Sequence, residues 1–403
     1  MADKVRVGIA GLGKAARMKL GIFKNAPRVE FTAGADVRPE ERERFKRLYG
    51  IETFSTVEDM CKHGDIDAVW IFLPHHLHAQ YTEVVADNGK HVLVEKPMAV
   101  TMDEAHRMVD AVERNGVSYI HAHAKIYLQP MPQIGEIIAS GRYGQVTGIN
   151  AWYFNDWLCR PEWSESDLDQ SKGGGPLYWI GAHHMDIVRY LGGGMVRSIR
   201  ATMGRWKPNF EVAGDYTAFF EFENGTPAML TLRTYGHFDS LEFTFGIGEG
   251  GHRRSEEKIF GPRSKFTRPL TVEEKYAQAE YQDDWVQDRV QSFDDRRFDF
   301  FGLTILSLEH ADIRQSPDGL LIYTENGREE MVLNDLQPSG ELVELAETVL
   351  DGRPPQLDAR WARASLEALT AIIQSSQERR EVYLSYQVPA RYPSAERNRQ
   401  PVA

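Results

Sequence analysis

The first 123 residues alternate between short apolar runs and amphipathic stretches. The runs over 5–10, 29–36, 51–54, 66–73, 91–98 and 117–123 predict buried strands of a parallel sheet. Helices are expected between them over 17–25, 39–49, 79–88 and 101–114, the last opened by a capping box of Thr101 and Glu104. From residue 134 the pattern changes. A helix over 134–140 precedes strand-like runs at 146–154, 196–203, 216–222, 228–235 and 241–247, and a hairpin over 319–333 turning at Asn326-Gly327. Consecutive strands without intervening helices mean an antiparallel sheet, so the fold class is α/β followed by α+β. A helix over 183–191 is stopped by three glycines, and helices over 339–350 and 359–377 close the second domain. The charged stretch 250–300, with one helix over 272–291, reads as a solvated excursion or as a lid or subunit contact. The proline-bearing, charged tail 385–403 is expected to be loosely held.

A chain of 403 residues accommodates two such domains. It has no run of ~18 apolar residues, the minimum for a membrane span. The opening Met1-Ala-Asp-Lys shows neither a basic leader nor an apolar signal core, which predicts a cytoplasmic protein. Cys61 and Cys159 lie far apart and outside any paired-ligand spacing, so neither a disulfide framework nor a cysteine zinc site is indicated. A net charge of −12 argues against nucleic acid and anionic membranes as partners. An anionic substrate would therefore need a locally basic pocket.

The chemistry begins at the first strand. It runs into Gly11-Leu12-Gly13-Lys-Ala-Ala16, a G-x-G-x-x-A fingerprint in its strand-turn-helix setting. Gly11 permits the tight turn, Gly13 lets backbone approach a pyrophosphate, and Ala16 allows close helix packing. The second strand ends on Asp36, which can accept both ribose hydroxyls of NAD and would repel the 2′-phosphate of NADP. Arg38 offers that phosphate a partner, so NAD is the expected cofactor and NADP the alternative. Leu73, Pro74, His75 and His78 close the fourth strand over the same crevice. Three histidines in four positions (75, 76 and 78) invite a metal, but no carboxylate or thiolate shares their spacing, and no metal is expected. Glu95-Lys96-Pro97 ends the fifth strand where open α/β sheets keep their ligands. Burial beside a nicotinamide would bring the Lys96 amine nearer to being a proton acceptor. In the second domain Gly173-Gly-Gly-Pro-Leu precedes a helix presenting His183 and Asp186 at i and i+3. His183 can exchange a proton with a hydroxyl, while His184 points elsewhere and is read as structural.

Gly11-x-Gly13-x-x-Ala16, Asp36, Pro74 with His78, Glu95-Lys96-Pro97 and the segment from Gly173 to Asp186 together resemble the glucose-fructose oxidoreductase/inositol dehydrogenase (Gfo/Idh/MocA) family over nearly the whole chain. The resemblance implies a Rossmann domain to about residue 123 and an open-faced sheet domain over 124–384. It implies hydride transfer between a nicotinamide and a cyclic alcohol, with Lys96 and His183 as the catalytic pair. The family usually carries an aspartate four residues before that histidine, where this chain has Trp179. An indole offers a stacking surface and one donor, which suits a flatter, less hydroxylated ring. Segments 155–161 and 237–240 resemble the phthalate 4,5-cis-dihydrodiol dehydrogenase subgroup, whose substrate carries carboxylates that Arg160 could clamp. Lys125, Asp156 and His237 are weaker substrate candidates, each with a local ion pair or cap as its plain alternative. Sugar or inositol dehydrogenation and, outside catalysis, a dinucleotide-binding redox sensor are the rival readings. The exposed face of the second sheet points to a homo-oligomer, a dimer or tetramer.

Overall fold

The computed structural model describes residues 4–122, 124–160, 162–206, 212–235, 237–261, 268–277, 296–334 and 340–392. Strands β1 (Val5–Ala10), β2 (Val29–Ala35), β3 (Glu52–Phe54), β4 (Ala68–Ile71), β5 (His91–Glu95) and β6 (Tyr119–Ala122) form one sheet in the order β3-β2-β1-β4-β5-β6. Every neighbouring pair in it is parallel. This is the Rossmann order, and it reverses direction between β1 and β4, where a ligand crevice opens. Helices Pro39–Tyr49, His78–Asp87 and Met102–Asn115 cover it, the last with the expected capping box. Helix Val57–His63, capped by Thr56, was not predicted. The expected helix over 17–25 is an α-helix at Lys14–Lys19 that tightens to a 3-10 turn at Leu20–Asn25.

The second sheet holds β7 (Val146–Phe154), β8 (Val196–Gly204), β9 (Asp215–Phe222), β10 (Pro227–Arg233), β11 (Leu303–Leu308), β12 (Asp312–Ser316), β13 (Gly319–Thr324), β14 (Gly327–Val332) and β15 (Val382–Tyr383). Their order is β14-β13-β12-β11-β7-β10-β9-β8-β15. All pairs are antiparallel except β7 with β10. Ala151, Tyr153, Leu230, Leu232, Ala218 and Phe220 line the face covered by helices. Trp152, Phe219 and Met229 alternate onto the other face and are 41%, 47% and 46% exposed.

Several expectations are corrected. Residues 241–247 form no strand: Asp239 caps a 3-10 turn at Ser240–Phe243, and Phe245 takes a positive φ that ends any extended run. β11 and β12 went unpredicted because they sit at the edge of the charged stretch. The hairpin turns on Glu325-Asn326 rather than Asn326-Gly327, since Thr324 pairs with Gly327. Of the helix expected over 272–291, Val272–Tyr276 is helical and 278–291 lies outside the described residues. The tail is held through residue 392. Glu367 accepts from the backbone of Ser385 and Tyr386 at 2.6 and 2.9 Å, and the Tyr392 hydroxyl donates to the Tyr190 carbonyl at 2.7 Å.

Helix Gly340–Asp351 packs on the first sheet, not the second. Leu342, Leu345 and Ala346 join a core with Val5, Val7, Leu93 and Ile120. Two ion pairs fasten its ends, Lys19–Glu341 at 2.9 Å and Arg28–Asp351 at 2.8 Å. Among the described residues no helix is long and apolar enough to cross a membrane.

Candidate active site

β1 delivers the glycine-rich turn. Gly11 has φ +89°, and a Cβ there would lie 2.9 Å from the Phe72 carbonyl oxygen, so only glycine fits beside β4. At Gly13 the nearest atom to a Cβ would be Arg38 Nη2, 3.7 Å away, which leaves the backbone open to a phosphate. Ala16 is buried against the sheet. The Asp36 carboxylate accepts from the Leu12 amide at 2.9 Å and from the Arg38 amide at 2.9 Å. The Arg38 guanidinium returns to it at 3.2 Å, so the two side chains expected to select the cofactor share one ion pair. Turn, open backbone and carboxylate together fit a dinucleotide.

The loop after β4 does two separate things. His78 is fully buried, with one ring nitrogen 3.0 Å from the Pro97 carbonyl and the other 2.8 Å from the Leu73 carbonyl. Burial pushes its pKa down to about 4 against the pull of those carbonyls. The expectation that His78 meets the cofactor is therefore corrected: it ties the Leu73–Pro74 corner to the Lys96–Pro97 corner. His75 reaches the second domain instead, Nδ1 lying 2.7 Å from the Gly173 carbonyl. Burial, then His78 and Lys96, hold it neutral, so Nδ1 donates and Nε2 is left as an acceptor. Gly173 takes φ +78°, and a Cβ there would lie 2.9 Å from that of His75. Among the described residues no cluster of three metal-ligating side chains occurs.

Lys96 stands at the end of β5, partly buried. Its Nζ donates to the Trp179 carbonyl at 2.8 Å and lies 5.6 Å from the Trp179 ring centre. That carbonyl belongs to a π-helical turn, Leu177–Gly181, which widens the chain just before helix Ala182–Leu191. Burial pushes the Lys96 pKa down to about 8; Glu95 and Glu249 oppose this, and Lys19 and Lys125 add to it. Glu95 itself is raised by burial, with Lys19 at 3.9 Å acting the other way. The Trp179 indole sits 5.2 Å from His75 and 5.7 Å from Trp163, which stacks on Trp157 at 4.1 Å. His183, partly exposed, has its ring 5.1 Å from Phe301.

Asp186 departs from expectation. It is fully buried, accepting from Trp361 Nε1 at 2.9 Å and from the Ser365 hydroxyl, with His121 Nε2 at 3.2 Å. Its carboxylate lies in the interface between β6, its own helix and helix Ala359–Glu378. His184, held by the Tyr216 hydroxyl at 2.9 Å and brought down to about 3 by burial, is structural as expected.

The weaker candidates are also placed. Arg160 Nε pairs with Asp156 at 3.2 Å, so a ligand carboxylate would meet the two Nη nitrogens. Burial acts against the Arg160 charge, but Glu249, Tyr153 and Asp156 outweigh it. Lys125 donates to the Glu249 carbonyl at 2.8 Å and pairs with Asp299 at 3.1 Å, which makes it a buttress rather than a substrate ligand. His237 is exposed in the segment after β10. Sequence reasoning missed Glu249 and Tyr153, whose phenol donates to the Glu249 carboxylate. A lone acid in the glycine run 246–251 is the signal that could have found it.

This crevice between a dinucleotide turn, a lysine of lowered basicity and a covered sheet defines a nicotinamide-dependent oxidoreductase. Residues 5–123 match the model of the oxidoreductase family with an NAD-binding Rossmann fold, and residues 131–251 match the GFO/IDH/MocA C-terminal domain. The chain belongs to the GFO/IDH/MocA oxidoreductase family. It is 31% identical over 379 residues to 1-carboxy-3-chloro-3,4-dihydroxycyclohexa-1,5-diene dehydrogenase of Comamonas testosteroni, covering 92% of this chain and 94% of that one. A solved structure from Bordetella bronchiseptica RB50 shares 31% identity with a TM-score of 0.79, covering 94% of this chain and 100% of that one. Levoglucosan dehydrogenase, solved with NADH and levoglucosan, shares the fold at 17% identity and TM-score 0.72, covering 94% and 99%.

Proposed function

We propose that the chain oxidises a carboxylated cis-dihydrodiol, of the phthalate 4,5-cis-dihydrodiol type, to a catechol. The observation that carries this reading is the pair of partly buried indoles Trp179 and Trp163, backed by the buried Trp157, with Arg160 on the segment between Trp157 and Trp163. A flat diene stacks on such a wall, and a guanidinium receives its carboxylate. The kinship with a dihydroxycyclohexadiene dehydrogenase supports it. NAD, when bound, supplies the hydride acceptor. Lys96, assisted by His183, takes the hydroxyl proton of the carbinol being oxidised, and the resulting ketone tautomerises to the aromatic catechol. A panel of carboxylated and plain cis-dihydrodiols, inositols and aldoses, assayed at 340 nm, tests it. Turnover confined to sugars would discard the dihydrodiol in favour of the sugar or inositol reading, which the shared fold of levoglucosan dehydrogenase keeps in view.

Three further outcomes are expected. Because the neutral amine of Lys96 is the proton acceptor, kcat/KM for oxidation should rise with pH and level off with an apparent pKa of about 8. A profile flat from pH 6 to 10 would remove Lys96 from the proton transfer. Asp36→Ser should release Arg38 and improve the NADP-to-NAD ratio of kcat/KM by roughly tenfold or more, and an unchanged ratio would take Asp36 out of cofactor selection. The open sheet face bearing Trp152, Phe219 and Met229 should join a second copy. Phe219→Glu with Met229→Glu should lower the mass seen in sedimentation, and a wild type that sediments as a monomer would refute this pairing.

A further inference from the structure

Where the family usually places an aspartate in the glycine-rich segment, this chain has Trp179, yet the site is not without a carboxylate. Glu249 rides on a short turn after β10. The turn is closed by the Gly251 amide on the Gly248 carbonyl at 3.0 Å and pinned from outside by the Phe300 amide on Gly248 and the Arg297 amide on Gly251 at 3.2 and 2.8 Å. Lys125 holds the Glu249 carbonyl at 2.8 Å, and Asp299 in turn holds Lys125. The carboxylate receives the Tyr153 phenol, whose own proton is retained because burial and then Glu249 raise its pKa well above the usual value. Glu249 is near enough to Lys96 and Arg160 to favour the charged form of both. Tyr153 packs on Phe301 at 4.5 Å, and Phe301 on His183 at 5.1 Å. A carboxylate is thus fixed from the sheet side, in the field of Lys96 and Arg160 and linked to His183 through the two rings of Tyr153 and Phe301. One of its oxygens is bonded by Tyr153, which leaves the carboxylate further acceptor capacity.

We propose that Glu249, oriented by Tyr153 and Lys125, is a specificity-determining acceptor that binds the hydroxyl adjacent to the one being oxidised. This rests on the reading of the site as one for a ring alcohol, but it holds for a sugar as for a dihydrodiol, since both present neighbouring hydroxyls. Without Glu249 the second hydroxyl would lose its acceptor, so the site would no longer prefer a vicinal diol to a single alcohol.

The test is binding of 3,4-dihydroxybenzoate and 3-hydroxybenzoate to the protein–NADH complex by calorimetry. Both ligands carry a carboxylate for Arg160 and differ in one hydroxyl. The wild type should bind the diol about tenfold or more tightly, the range expected for a hydrogen bond to a charged acceptor. In Glu249→Ala the margin should fall below about twofold, with NADH affinity unchanged as the sign of an intact fold. If that variant fails to bind NADH, Glu249→Gln carries the test with a several-fold smaller margin, and Tyr153→Phe should shrink it as well. No margin in the wild type, or a full margin in a folded Glu249 variant, overturns the assignment. Turnover separates this from the substrate proposal: a margin with oxidation of sugars alone keeps Glu249 and discards the dihydrodiol, and dihydrodiol oxidation without a margin does the reverse.

Discussion

Lys96→Ala should lower kcat for alcohol oxidation by about 10²- to 10⁴-fold, the range for a positioned general base, while NAD affinity stays within a few-fold of wild type. The asymmetry follows from where the lysine sits. Its Nζ is tied to the Trp179 carbonyl, whereas Asp36 is held by the Leu12 amide of the glycine turn. Arginine at this position would keep a cation but lose the readily accessible neutral form, so Lys96→Arg should be nearly as slow as the alanine variant. Stopped-flow measurement of NADH formation under single turnover isolates the chemical step from product release. Turnover within about fivefold of wild type in either variant would move the proton acceptor elsewhere, with His183 next to be tested.

Asp186→Asn should cost about 3–5 kcal/mol of stability, the range for breaking one partner out of a buried charged network. The carboxylate accepts from Trp361 and Ser365 and faces His121, and its own helix carries Arg189, which is also fully buried. Arg189 donates to Ser365 Oγ at 2.7 Å and stacks on Trp361 at 3.9 Å, so both charges share the same two neighbours. Burial brings the Arg189 pKa down to about 10, with Asp186 the strongest influence holding it charged. An amide in place of Asp186 turns one acceptor into a donor facing donors and removes the strongest carboxylate influence on the guanidinium. Denaturant unfolding followed by tryptophan fluorescence should show an earlier midpoint. A midpoint shift of less than about 1 kcal/mol would mean that His121 and Arg189 are satisfied without it.

The contrast between Lys96 and Asp186 shows what was legible before any coordinates. Lys96 is readable because a strand ending on proline in an open parallel sheet has one place to go, and backbone topology alone puts the residue at the crevice. Gly11, Gly13 and Asp36 were readable for the same reason. Asp186 was misplaced because i, i+3 spacing still leaves it about 60° around the helix from His183, and the closing helix offers its carboxylate two buried donors, Trp361 and Ser365, that nothing near Asp186 in the sequence announces. His78 was misassigned because a histidine beside a cofactor loop looks the same in sequence whether it faces the ligand or two carbonyls behind it. Glu249 and Tyr153 were invisible as a pair, since nearly a hundred residues separate them and nothing local announces a bond between a strand and a distant glycine turn. The strands β11 and β12 were lost because charged neighbours dilute a six-residue alternation.

Helix Gly340–Asp351 carries a consequence for synthesis. The dinucleotide sheet is encoded in the first third of the chain, but Leu342, Leu345 and Ala346 complete the core against β1 and β6, and Glu341 neutralises Lys19. A nascent chain therefore exposes an apolar face of its first domain until more than two hundred further residues have left the ribosome. At ~5–20 residues per second that interval lasts on the order of ten to forty seconds. A fragment that stops after β6 should carry a complete glycine turn and still bind NAD poorly, because the strand that presents the turn lacks its covering helix. A segment made late thus completes the core of the domain that is encoded first.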